Sequence, residues 1–195
     1  MRSGIPDPVG YVGLTPAELV ERIPGPLFPA GSEIAYSNIN YILLGTIIEN
    51  LTGRPLRGAL LSGVLNRPGL DGLVYRWKDA LAGDGGGIES DPASLARWGY
   101  ELYGGFVLSD DSLRQMTDFR RGWYGLGAID FSQGTPAVAR RYGIPAIGHG
   151  GLEPSLAVML VAFPQTDVVV AVQAHIGDLD QVATVVRALS DVARP

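Results

Sequence analysis

Three polar side chains, Tyr36, Ser37 and Asn38, stand directly before the most apolar stretch of the chain, Ile39 to Leu51. A phenol and an amide can move protons and orient ligands, yet Ser and Asn can equally do no more than start a helix. A second cluster, His149-Gly150-Gly151, sets an imidazole among glycines, whose missing side chains permit close approach of a substrate. A serine nucleophile would need a base beside it, and the obvious patterns are missing. There is no Gly-x-Ser-x-Gly elbow, and the one lysine, Lys78, has Tyr75 three places before it. No S-x-x-K exists among these residues. Ser155 has no base at useful spacing, Ser3 and Gly4 read as turn formers, and His175 reads as a surface or turn residue ahead of Gly177-Asp178. Trp98, Trp123 and Tyr124 read as core or cleft wall.

Helix signals position the first cluster. Thr15-Pro16-Ala17-Glu18 is a capping box with proline at the first helical position, and its helix should stop by Pro24. A turn-rich run then delivers the chain to Tyr36. The residues from Ile39 to Leu51 are apolar on nearly every side, which predicts a buried helix. Gly53 suits its C-terminal end, and Pro55 opens a further helix to about Leu65. Residues 83–90 read as a glycine loop without the spacing of a phosphate cradle. Asp91-Pro92 starts a helix with Leu95, Trp98 and Leu102 on one face, closed by Gly104, and Ser109 starts another carrying Leu113 and Met116.

The pattern changes after Arg121. Runs at 123–131 and 144–151 are strand-like, and those at 155–163 and 167–175 read as a hairpin. Asp178 then caps a helix with Leu179, Val182, Val186, Leu189 and Val192 on one stripe. Helices followed by antiparallel strands make an α+β layout. We expect a single domain over 1–195, with residues 11–121 mainly helical and residues 122–195 forming a sheet region with a C-terminal helix.

Composition narrows the partners. A net charge of −5 without a basic run argues against nucleic acid and anionic membranes. The longest apolar stretch, 156–174, is broken at 164–167 and gives no membrane span. The absence of cysteine excludes disulfides and thiol catalysis. Two histidines 26 positions apart make a metal site a poor expectation, and no cofactor is implied.

Residues 28–56 (FPAGSEIAYSNINYILLGTIIENLTGRPL), then 85–98, then Tyr124-Gly125-Leu126-Gly127 and Gly148-His149-Gly150-Gly151, resemble in order the serine β-lactamase-related family. That family includes class C β-lactamases, D-alanyl-D-alanine carboxypeptidases, D-aminopeptidases and penicillin-recognising esterases. The resemblance implies a β-lactamase/transpeptidase-like fold, an antiparallel sheet with flanking helices plus a helical region. It also implies hydrolysis of a small ester, amide or peptide through an acyl-serine. In the family pattern, S-x-x-K supplies the serine and a lysine. Tyr36 would then transfer protons and Asn38 would orient lysine and substrate. His149, Gly150 and Gly151 would form the third motif, with the N–H of Leu152 helping to make an oxyanion hole. A phenol serves as a base only when nearby cations lower its pKa, so His149 is expected to be partly cationic.

The chain departs from the family at three places. Residues 1–8 resemble a family segment that follows the S-x-x-K helix, so the early strands and the nucleophile helix are expected to be missing. Gly150 lacks the hydroxyl that holds a substrate carboxylate in lactamases and carboxypeptidases, and Glu153-Pro154 replaces glycine. The expectation is a serine-hydrolase fragment inactive alone, or else a non-catalytic ligand- or partner-binding protein on the same fold. Without front strands, the hairpin at 155–175 should leave an apolar face and a sheet edge uncovered. Self-association, or complementation by the missing N-terminal segment, follows as an expectation. The family is usually exported, but residues 1–30 read as no signal peptide, so the compartment stays undecided.

Overall fold

Thr15, Asp91, Ser109 and Asp178 start four helices, as their spacing predicts. The computed structural model describes residues 1–7, 14–75, 87–133, 144–175 and 177–191. Lys78, residues 83–86 of the glycine loop and Val192 fall outside the described residues. The chain divides into two compact units, Met1–Ser90 and Asp91–Pro195.

In the first unit, α1 (Pro16–Arg22) begins on the complete capping box. Glu18 N–H donates to Thr15 Oγ1 at 3.3 Å, and Thr15 N–H returns a bond to Glu18 Oε2 at 2.7 Å. Leu19 of α1 packs with Ile39 and Ile42 of α2 (Ile39–Thr52), all three essentially without exposed surface. Burial of this kind contributes about 1.5–3 kcal/mol per side chain. Gly53 ends α2 at φ +64°, the left-handed conformation that favours glycine. The Glu49 carboxylate then accepts from Leu56 N–H at 2.8 Å and starts α3 (Leu56–Leu60), which runs on into a π-turn over Leu61–Leu65. A two-residue ribbon, β1 (Val74–Tyr75) against β2 (Ile88–Glu89), closes this unit. It is too short to show in the sequence pattern.

One expectation fails here. α2 is not buried all round: Leu44, Ile47, Ile48 and Leu51 are exposed, Leu51 by 82%. At positions i, i+3, i+4 and i+7 they share one face of the helix. The composition of α2 records what the helix can bury, and among the described residues it packs against α1 and α3.

In the second unit, β3 (Ile129–Asp130), β4 (Ile147–Glu153), β5 (Leu156–Phe163) and β6 (Val168–Ala174) form an antiparallel sheet in that order. Its register places His149 opposite Leu160, and Leu160 opposite Ala171. Ala157, Met159, Val161 and Phe163 project from one face of β5 onto Val182, Ala183 and Val186 of α6 (Leu179–Ser190). Leu189 of α6 is exposed, so the buried stripe of that helix is narrower than its apolar residues suggest. On the opposite face of the sheet, α4 (Pro92–Tyr103) approaches so closely that a Cβ on Gly99 would lie 2.7 Å from Leu160 Cδ1. Among the described residues, helices therefore lie on both faces of the hairpin, in place of the expected open apolar face. α4 packs against β5 and β6. A short helix, α5 (Asp110–Met116), precedes β3.

Candidate active site

Residues 34–37 lead into α2 without regular secondary structure. Tyr36 is 46% exposed, with its ring centroid 6.2 Å from that of Tyr41, whereas Ser37 has no exposed surface. Asn38 stands at the N-cap of α2, but with helical backbone angles, φ −63° and ψ −31°, and its side chain makes no cap bond. The carboxylate of Asp7 takes that place. Asp7 Oδ1 accepts from Ser37 Oγ at 2.7 Å and from Ile39 N–H at 3.1 Å, and Oδ2 accepts from Asn38 Nδ2 at 3.4 Å.

Backbone bonds from Leu27 N–H to Gly4 O, Gly31 N–H to Arg2 O and Ala35 N–H to Met1 O bring Asp7 there, laying residues 1–4 beside residues 27–35. Gly4 adopts φ +74°, and a Cβ on it would overlap the carbonyl oxygen of Phe28. Ser3 Oγ donates to Asn40 Oδ1 at 2.6 Å, so Ser3 does more than form a turn. Sequence reasoning missed Asp7, because a cap 32 residues upstream lies beyond any local spacing rule.

The second group lies along β4. His149 Nδ1 stands 2.8 Å from the carbonyl oxygen of Gly150, and Nε2 stands 2.8 Å from the Tyr124 hydroxyl. A carbonyl oxygen only accepts, so Nδ1 carries the proton and Nε2 accepts from the Tyr124 O–H. Burial lowers the pKa of His149, and the bond to Gly150 offsets this only in part. The ring is therefore neutral near pH 7, not partly cationic as expected.

Tyr124, 4% exposed, meets the imidazole edge to face with centroids 5.7 Å apart. Trp123 packs edge-on against Tyr124 in turn. The turn after Tyr124 is tight. Gly125 N–H donates to Ala128 O, Gly127 has φ +72°, and a Cβ on Gly125 would overlap Met116 O. A tyrosine followed by Gly-Leu-Gly reads as core from composition. The glycines were the signal that its backbone is held for a purpose.

Gly148 must be glycine, because a Cβ there would overlap the carbonyl oxygen of Leu160. Gly150 and Gly151 are under no such constraint. A Cβ on Gly150 would meet Leu179 Cδ2 at an ordinary 3.5 Å, and one on Gly151 would meet nothing within 4 Å. The missing hydroxyl at position 150 is thus a chemical difference and not a steric necessity. β3 pairs with β4 only at Ile147 and Gly148, so from His149 to the exposed Leu152 no described strand pairs with that edge.

Tyr36 and Asn38 are held together in the first unit, and His149, Gly150, Gly151 and Leu152 in the second. His175 is exposed just past β6, matching its reading as a surface or turn residue, and Ser155 is exposed in the turn between β4 and β5.

A family model described as Beta-lactamase matches residues 1–191. No curated protein matches the sequence. Among solved structures, the chain is similar to a D-amino acid amidase from Ochrobactrum anthropi SV3, complexed with L-phenylalanine. Identity is 20% and the TM-score 0.80, covering 98% of this chain and 68% of that one. A D-stereospecific amidohydrolase from Streptomyces sp. gives 20% identity and a TM-score of 0.75, over 93% and 68% of the two chains. A penicillin binding protein from Bacillus halodurans gives 15% identity and 0.72, over 96% and 70%.

Proposed function

This chain belongs to the beta-lactamase family, and from that premise we propose that Tyr36, Asn38, His149, Gly150, Gly151 and Leu152 are its share of a serine-hydrolase site. The fold is β-lactamase/transpeptidase-like, with antiparallel sheets and flanking helices. The reaction we assign is cleavage of a small ester, amide or D-amino-acid peptide through an acyl-serine. Amides of D-amino acids are the first substrates to try, since similar structures are named as amidases and amidohydrolases of that kind.

The observation that carries this reading is that Asn38 occupies a helix N-cap without capping it. Asn is among the best N-cap residues, and a helix start needs only that. Here the Asp7 carboxylate bonds the helix start at Ile39 N–H, and a role for Asn38 beyond starting the helix accounts for its presence. Tyr36 would transfer the proton, Asn38 would orient substrate, and the N–H of Leu152 would donate to the developing oxyanion. One such donor contributes about 3–4 kcal/mol to the barrier.

These 195 residues hold no S-x-x-K. Tyr36 could activate water, but a free water lacks the positioning of a tethered serine, a difference that reaches ~7–11 kcal/mol. The chain alone is therefore inactive in covalent turnover. Fluorescent penicillin and fluorophosphonate should leave its intact mass unchanged. A reading frame extended upstream of Met1 to include an S-x-x-K should become labelled at that serine. A stoichiometric adduct on a serine within these residues would overturn the inactivity. An extended frame that binds D-phenylalanine amide without turnover would favour a non-catalytic ligand-binding protein.

A further inference from the structure

We propose that His149, held in place by Tyr124, caps the backbone acceptor of β4 at Gly150. The site then favours substrates with a short leaving part, simple amides and small esters, over peptides that continue past the cleaved bond. The proposal rests on the reading above that β4 and the N–H of Leu152 belong to the site.

Strand alternation fixes which way each residue of β4 faces. In an antiparallel strand, residues that exchange bonds with one neighbour alternate with residues turned the other way. Phe131 N–H donates to Ala146 O, so residue 146 faces β3. At the other end, Pro154 and Ser155 form a two-residue turn that makes Glu153 and Leu156 the closing pair, so residues 153, 151 and 149 face β5. Both ends of the strand give the same result. Gly150 and Leu152 turn N–H and C=O toward the edge whose pairing with β3 stops at Gly148.

On that edge the Gly150 carbonyl already accepts from His149 Nδ1–H at 2.8 Å. The ring is held against turning away, because Nε2 accepts from the Tyr124 hydroxyl at 2.8 Å. Tyr124 is itself buried and bridged to Ile129 of β3. His149 therefore meets the carbonyl, and Tyr124 is the positioning residue behind it. A carbonyl keeps a second lone pair, but an added N–H would have to share the oxygen with a ring nitrogen 2.8 Å away. Position 150 carries no hydroxyl either, so what Gly150 presents to a ligand is its N–H.

Every pairing in this sheet is antiparallel. A substrate laid along the edge in the same sense, with its reacting carbonyl at the Leu152 N–H, runs its C-terminal part toward Gly150. A peptide continuing there would pair with both the N–H and the C=O of Gly150. It finds the donor and not the acceptor. A simple amide or a small ester ends before that rung and loses nothing.

Two ligands that differ only on the leaving side test this, D-phenylalanine amide and D-phenylalanyl-D-alanyl-D-alanine amide, each titrated into the chain and followed by chemical shift. The wild type should bind the two with affinities within about twofold of each other. In His149→Ala the longer ligand should gain roughly threefold to tenfold over the shorter, the scale of one added backbone hydrogen bond. Tyr124→Phe should move the ratio the same way and speed exchange of the His149 Nδ1 proton with water, and it serves alone if His149→Ala does not fold. A merely structural role would lower Tm in the variants and leave the ratio of affinities unmoved. That outcome, or a wild type that binds the longer ligand about tenfold more tightly, would overturn the proposal. The cap has its own readout in the scalar coupling across the hydrogen bond from His149 Nδ1 to the Gly150 carbonyl carbon, and its absence would refute the cap. If the wild-type chain binds neither ligand, the functional reading fails and the substrate preference with it, while the coupling still decides the cap.

Discussion

The Tyr124 hydroxyl and His149 Nε2 lie 2.8 Å apart, and the other ring nitrogen is committed to the Gly150 carbonyl. The imidazole is held in one tautomer with both nitrogens bonded within the chain. It contributes shape and a fixed orientation, where a lysine at the same strand position would contribute charge.

Removing the hydroxyl while keeping the ring tests that relationship. Tyr124→Phe preserves the packing against Trp123 but takes the donor from Nε2. We expect a loss of about 1–3 kcal/mol in urea unfolding, with the proton still on Nδ1 by nitrogen NMR. An unchanged unfolding midpoint would mean that the bond is not formed in solution.

The lowered pKa of His149 has a definite sign in stability. Between its folded value and the ordinary 6.5, the unfolded state binds more protons than the folded state. Stability from this group is complete above about 6.5 and declines as the pH falls toward the folded pKa. Unfolding free energies at a series of pH values should therefore slope more steeply for the wild type than for His149→Asn. A wild-type slope no steeper than the variant's would contradict the buried, neutral ring.

Neighbouring glycines of β4 should respond in opposite ways. Gly148→Ala forces a Cβ into the Leu160 carbonyl and should cost roughly 1–3 kcal/mol or more. Gly150→Ala meets only ordinary contacts and should be neutral or stabilising by about 0.5–1 kcal/mol. Thermal melts of the two variants check the contrast, and equal losses would show that β4 is not held as described.

The outer stripe of α2 is the surface we expect to associate. Leu44, Ile47, Ile48 and Leu51 expose apolar surface on one helix face. Sedimentation should show concentration-dependent association that Ile47→Lys with Leu51→Lys abolishes. A wild-type chain that remains monomeric at high concentration would remove this expectation.

The legible parts of the chain were those governed by local rules. Thr15, Asp91, Ser109 and Asp178 announce their helices within three residues, and the apolar runs at 156–163 and 168–174, broken at 164–167, announce the hairpin. What was hidden depends on distant partners. Asp7 caps a helix 32 residues downstream, Tyr124 reaches a histidine 25 residues on, and the β1–β2 ribbon is two residues long. The burial of α2 was misread because composition tells which faces could be covered and not which are. Tyr36, Asn38 and His149 were visible as a motif set, but the protonation state of His149 needed its surroundings.

Strand β5 is bonded to a neighbour along both edges and closed by a helix on each face. Its partners β4 and β6 adjoin it in sequence through short turns, and α6 follows soon after, so most contacts of the layer are local along the chain. Local contacts cost little loop entropy, so this layer can assemble early, before any more distant pairing. The amide protons of Met159 to Ala162 should then be the last in the chain to exchange with deuterium, persisting after those of α2 and the β1–β2 ribbon have gone.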